Sequence, residues 1–75
     1  MEMRPVGSEM IKAIGYEADQ GLLVIHFQNG SVYEYYMVPR STFEDFVDAP
    51  SKGKFFTERI EAGGFGFRCT RSRQA

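Results

Sequence analysis

Cysteine and histidine are almost absent from this chain: its 75 residues include one of each, Cys69 and His26, and no tryptophan. A lone cysteine excludes an intrachain disulfide, and one histidine beside it falls short of a zinc-ligand set. Long apolar runs are missing as well. The longest aliphatic stretch is Leu22-Leu23-Val24-Ile25, far below the ~20 residues a helix needs to cross a bilayer. The opening Met1-Glu2-Met3-Arg4-Pro5 is too polar for a secretory signal. With the unpaired thiol, these absences predict a cytoplasmic protein without membrane segment, metal or cofactor.

A chain this short makes one domain, residues 1–75, ordered over about 3–69 with a frayed tail at 70–75. Side chains must supply its core, and seven Phe with four Tyr are available. Each buried Phe contributes roughly 1.5–3 kcal/mol. Charge is unevenly placed. Residues 1–61 hold six Lys/Arg against ten Asp/Glu, a net of −4, whereas residues 62–75 add Arg68, Arg71 and Arg73 and no acid. Neither part is charged strongly enough to mark a nucleic-acid binder on that ground alone.

Residues 10–16 predict a first strand, Leu22 to Phe27 a second and Val32 to Met37 a third, the last two joined at Asn29-Gly30. A two-residue turn there would set Glu34 beside Leu23, Ile25 and Phe27. A three-residue loop with Gly30 as a left-handed bulge instead puts Tyr33, Tyr35 and Met37 on that apolar face, with Val24, His26, Glu34 and Tyr36 opposite. A one-residue slip moves a whole strand's side chains across the sheet, so the cleaner segregation favours the bulged turn.

Beyond Val38-Pro39, Ser41 with Glu44 fits a capping box, and Phe43, Phe46 and Val47 form one helical stripe. Pro50 stops that helix, and Ser51 caps a second on which Phe56 and Ile60 lie four residues apart. Phe65 and Phe67 suit a short C-terminal strand. The expected fold is α+β: a three-stranded antiparallel sheet followed by two short helices on one face, with a short last strand as an addition.

These stretches, taken in order, resemble the KTSC domain. The resemblance rests on Pro5-Val6 with Ser8, Ile14-Gly15-Tyr16, Phe27 through Gly30, Val32-Tyr33-Glu34-Tyr35 and Val38-Pro39. It continues through Ala49, Ser51 and Gly53, Phe55-Phe56, Ile60 and Phe65-Gly66-Phe67-Arg68. The chain departs from the pattern at Glu17, Phe43 and Thr57, where Asp, Tyr and Asn are usual. The family takes its name from the C-terminus of some lysyl-tRNA synthetases and also occurs as small stand-alone bacterial or phage proteins. Its members have no established activity, so the resemblance implies a binding module and raises the expectation of RNA.

Tyr33 and Tyr35 on one strand face can stack on unpaired bases, but Leu23, Ile25 and Phe27 beside them favour a core role. A second route to nucleic acid is electrostatic: Ser51, Lys52, Lys54, Arg59, Arg68 and Arg71 would present a helix N-terminus and cations to phosphates. Glu34, central on the other sheet face, would repel them. Tyr16, Val24 and Tyr36 define the competing reading, an outer-face surface for a protein partner or a second copy, if the first strand buries Ile11 and Ala13. Catalysis comes third, as a small ribonuclease. No Ser-His-Asp set, phosphate loop or paired nucleophile is present to support it, and His26 and Cys69 read as surface groups. The expected function is a non-catalytic accessory module that binds RNA weakly.

Overall fold

The computed structural model describes residues 2–72. Five strands, β1 (Met3–Pro5), β2 (Ile11–Glu17), β3 (Leu22–Phe27), β4 (Val32–Tyr35) and β5 (Phe67–Arg71), form one sheet in chain order, each antiparallel to its neighbour. Between β4 and β5 the chain forms α1 (Arg40–Asp48) and α2 (Lys52–Phe55). A π-helical turn, Phe56–Ile60, and a 3-10 turn, Glu61–Gly63, continue α2. The α+β class, the antiparallel sheet and the two helices match expectation, but the sheet has five strands instead of three. The unexpected β1 is an edge strand of three residues ending in Pro5, too short for alternation to reveal and with a residue tolerated mainly at edges. β5 runs to Arg71, into the stretch expected to fray. Residues 73–75, which include the basic Arg73, lie outside the described residues.

The β3–β4 hairpin has the bulged turn. His26 faces Val32 in register, the Phe27 N–H donates to the Ser31 carbonyl at 2.9 Å, and the Gly30 N–H donates to the Phe27 carbonyl at 3.0 Å. Gly30 sits at φ +93°, a conformation that favours glycine because it has no Cβ. Asn29 holds the loop: its Oδ1 accepts from the Ser31 N–H and hydroxyl at 2.9 and 2.7 Å. The register sends Leu23, Ile25, Phe27 and Tyr35 into the core, with Tyr33 packed at its edge.

Met37, expected on that same face, is 81% exposed. Its backbone turns left-handed at φ +58°, which breaks the alternation and returns Val38 to the core. Gly21 makes the close approach that this requires. Its carbonyl accepts from the Val38 N–H at 2.9 Å, and a Cβ there would stand 3.4 Å from Met37 and Val38 backbone atoms.

A second correction concerns β2. Its pairing with β3 shifts between Ile11 and Ala13, and this bulge turns the following residues over. Ile14 therefore joins Ile11 in the core. Tyr16, expected on the outer face, faces the helices, stacked 4.7 Å from Phe43, and its hydroxyl donates to the Val38 carbonyl at 2.6 Å.

The helices cover the inner face. Phe46 is fully buried, Phe43 and Val47 pack beside it, and Phe56 and Ile60 complete the core. Phe46 stacks on Phe55 at 5.1 Å, joining α1 to α2. The capping box at Ser41 does not form. Pro39, with φ −63° and ψ 149°, occupies the N-cap without a side-chain bond, and its carbonyl accepts from the Thr42 and Phe43 N–H groups. Proline's fixed φ starts the helix before Ser41, so Glu44 pairs instead with Arg40 at 3.9 Å. Ser51 does cap α2, accepting from the Lys54 N–H at 3.3 Å.

Candidate nucleic-acid interface

Directly opposed residues of an antiparallel sheet project to the same face, so register sorts the candidates. On the face that carries the helices, Tyr16, Leu23, Tyr35 and Phe67 form one row, and Ile14, Ile25, Tyr33 and Cys69 form the next. On the outer face, Gly15, Val24, Glu34 and Arg68 make one row, and Ala13, His26, Val32 and Arg71 another. The expected phosphate-binding residues are thereby divided: Arg68 and Arg71 belong to the outer sheet face, Ser51, Lys52, Lys54 and Arg59 to the helical layer.

The helical group is largely engaged in local contacts. The Ser51 hydroxyl caps α2, and the Lys52 ammonium donates to the Ala49 carbonyl. Arg59 lies 3.7 Å from the Asp45 carboxylate, with its guanidinium 5.1 Å above the Phe55 ring. Lys54 is exposed, as is Arg59, but no side-chain ion pair involves Lys54 among the described residues. Partnered cations beside an acid offer a phosphate little net charge.

The outer face differs. Glu34 lies 3.7 Å from the Arg68 guanidinium and accepts from the Tyr36 hydroxyl at 3.0 Å. Desolvation, followed by this bond to a carboxylate, raises the Tyr36 phenol above its ordinary value. The carboxylate expected to repel phosphate is thus matched. Alongside it, Lys12, His26, Val32 and Arg71 line a depression of about 120 Å³. Lys12 and His26 were not among the expected phosphate ligands. His26 was legible as an outer-face residue from the hairpin register, but its grouping with Lys12 and Arg71 depends on irregularities in β2 and in the β4–β5 pairing.

Val24 and Tyr36 lie together on the outer face as expected, without Tyr16. Tyr35 of the Tyr-x-Tyr pair is buried, and burial pushes its phenol up to about 12, with the Glu61 carboxylate adding to the shift. Tyr33 stays half-buried. Its phenol is raised first by Cys69, its cross-strand neighbour. Among the described residues no cluster of three His, Cys, Asp or Glu is placed to hold a metal, and no helix is long and apolar enough to cross a membrane.

Comparison with known proteins adds to this geometry. The KTSC domain model matches residues 7–65. The chain belongs to the KTSC domain family. A KTSC domain protein from Yersinia pestis, known from its crystal structure, is 39% identical with a TM-score of 0.84, covering 91% of this chain and 94% of that one. A lysine–tRNA ligase from Nostoc punctiforme is 48% identical over 65 residues, which are 87% of this chain and 11% of the ligase. A protein from Tsukamurella paurometabola is 42% identical over 53 residues, 71% of this chain and 79% of its own length. This KTSC domain therefore spans about a tenth of the ligases it matches.

Proposed function

We propose that this KTSC domain is a non-catalytic accessory module that contacts RNA phosphates with the outer face of its sheet. The observation that carries the reading is the company the domain keeps: a segment 48% identical to it forms a small part of a lysine–tRNA ligase, an enzyme that acts on tRNA. The outer face has suitable chemistry. Lys12, His26 and Arg71 line one depression, and the Arg68 side chain, 70% exposed beside Glu34, stands open to solvent on the same face. An open sheet with a few cations suits weak contacts to the backbone, which fix position without reading sequence. Such a module would work in the cytoplasm.

Fluorescence anisotropy with labelled tRNA and with a single-stranded oligonucleotide, at a series of salt concentrations, tests this reading. Binding is expected to weaken steeply with salt, with a slope near −0.7 to −0.9 per phosphate contacted. Arg71→Ala is expected to reduce the slope by about one contact. Binding that ignores salt, or survives Lys12→Ala with Arg71→Ala unchanged, contradicts it.

The competing surface, Val24 with Tyr36, has one observation in its favour: both are partly exposed on the same open face. Light scattering over a concentration series, repeated with Tyr36→Lys, tests it. A monomer throughout removes the second-copy version.

A further inference from the structure

The inner side of the sheet carries a feature that the RNA reading does not use. Near the hairpin end, a cavity of about 330 Å³ opens among Phe27, Tyr33, Tyr35, Phe56, Phe67 and Glu61. Its rings stand in two orientations. Tyr33, Tyr35 and Phe67 lie within 23–38° of one another at centroid spacings of 5.4–6.4 Å. Phe27 stands at 87° to Tyr33, and Phe56 at 77° to Tyr35. The last ring of the set is open to solvent: Phe67 is 60% exposed, although it stacks 5.4 Å from buried Tyr35.

The charge of the lining is one-sided. Glu61 is the charged residue of the cavity wall, and it forms no ion pair among the described residues. The rest of the wall, Met10, Asn29 and Ser31, carries no charge, and the Asn29 carbonyl oxygen is bonded to Ser31. Glu61 also acts on the phenols within, contributing to the raised values of both Tyr33 and Tyr35. An anion entering this space would meet a carboxylate and the negative faces of aromatic rings. A cation would be attracted by both.

We propose that this cavity binds a small organic cation of the quaternary ammonium class, with the methylated nitrogen against Tyr33 and Phe67 and its charge facing Glu61. The volume is at the small end of ligand pockets, about 300–1,000 Å³, and suits a headgroup-sized molecule. Quaternary ammonium has no N–H to donate, so it loses little water on entering a wall poor in free acceptors. Its spread charge matches ring faces well.

The test is NMR titration with choline, run beside its uncharged isostere in which carbon replaces the nitrogen. Choline is expected to shift the ring signals of Tyr33 and Phe67 in a saturable way, and its methyl protons should move upfield through ring current. Glu61→Gln is expected to weaken binding about fivefold, and Phe67→Leu by a similar factor. Both positions are exposed, so both variants should keep the wild-type amide spectrum elsewhere. Equal binding of the isostere, shifts outside the cavity, or no saturable shift with choline would overturn the proposal.

Discussion

On the inner face of the sheet, Ile14, Leu23 and Ile25 are fully buried beneath the helices, whereas Ala13, Val24 and His26 on the outer face keep part of their surface in water. The same two strands, β2 and β3, supply both sets. One face is held by apolar packing, and its side chains are constrained by shape. The other combines small apolar groups with Lys12, His26, Arg68 and Arg71, and its polar contacts are few and lie at the surface. The difference separates stability from recognition: substitutions inside should cost folding energy, and substitutions outside should alter binding with little effect on folding.

The largest expected effect therefore belongs to the inner face. Phe46→Ala should destabilise the domain by about 3–5 kcal/mol, measurable by urea denaturation. Against the marginal stability of so small a domain, that is enough to leave much of the chain unfolded. Val24→Ala on the outer face should cost far less. Comparable losses would mean that the outer face is covered in solution.

Tyr16→Phe comes next, because it tests the turned-over half of β2. Removing the hydroxyl leaves the Val38 carbonyl without its 2.6 Å donor, an expected loss of about 0.5–1.5 kcal/mol. No loss would return Tyr16 to the outer face, where the alternation from Ile11 had put it.

A pH effect distinguishes the faces more finely. An unfolded tyrosine ionises near pH 10, whereas Tyr35 in the fold is pushed up to about 12. Folding therefore favours the neutral phenol. Its contribution is complete below about pH 10 and is lost as pH rises toward about 12. Denaturation midpoints should fall across that window in the parent protein and fall less in Tyr35→Phe. Identical profiles would show that Tyr35 is solvated.

The smallest expected change is in the stability of Arg68→Ala. Its pair with half-buried Glu34 is a contact at 3.7 Å in which the guanidinium stays in solvent, and surface pairs contribute about 0.2–1 kcal/mol. The substitution also uncovers a carboxylate in the middle of the outer face, so RNA binding should suffer more than folding does. A loss confined to folding would break the proposed separation.

The legibility of this molecule followed its periodicity. The hairpin register was readable because placing Gly30 in a bulge segregates apolar from polar side chains in both strands, and the Phe43, Phe46 and Val47 stripe was readable because α1 is regular. Irregular backbone hid the rest. The bulge in β2 leaves no sign in the order Ile11 to Tyr16, since Ile14 and Tyr16 are as plausible on one face as on the other. Met37 is non-glycine in a left-handed turn, a conformation that residue type does not announce. Pro39 replaced Ser41 as the helix start because a fixed φ and a free carbonyl suffice without a side-chain cap. At the candidate interface, the individual cations were visible but their partition was not. Whether Arg68 stands with Lys52 or with Lys12 depends on β5 joining the edge of β4, a long-range pairing that local spacing cannot encode.

The central claim, that recognition belongs to the open face and packing to the covered one, is tested most directly by mapping amide shifts during titration with single-stranded RNA at low salt. The account predicts changes concentrated at Lys12, Val24, His26, Val32, Arg68 and Arg71, reversed by added salt. Changes centred on Ser51, Lys54 and Arg59, or spread evenly over both faces, would contradict it.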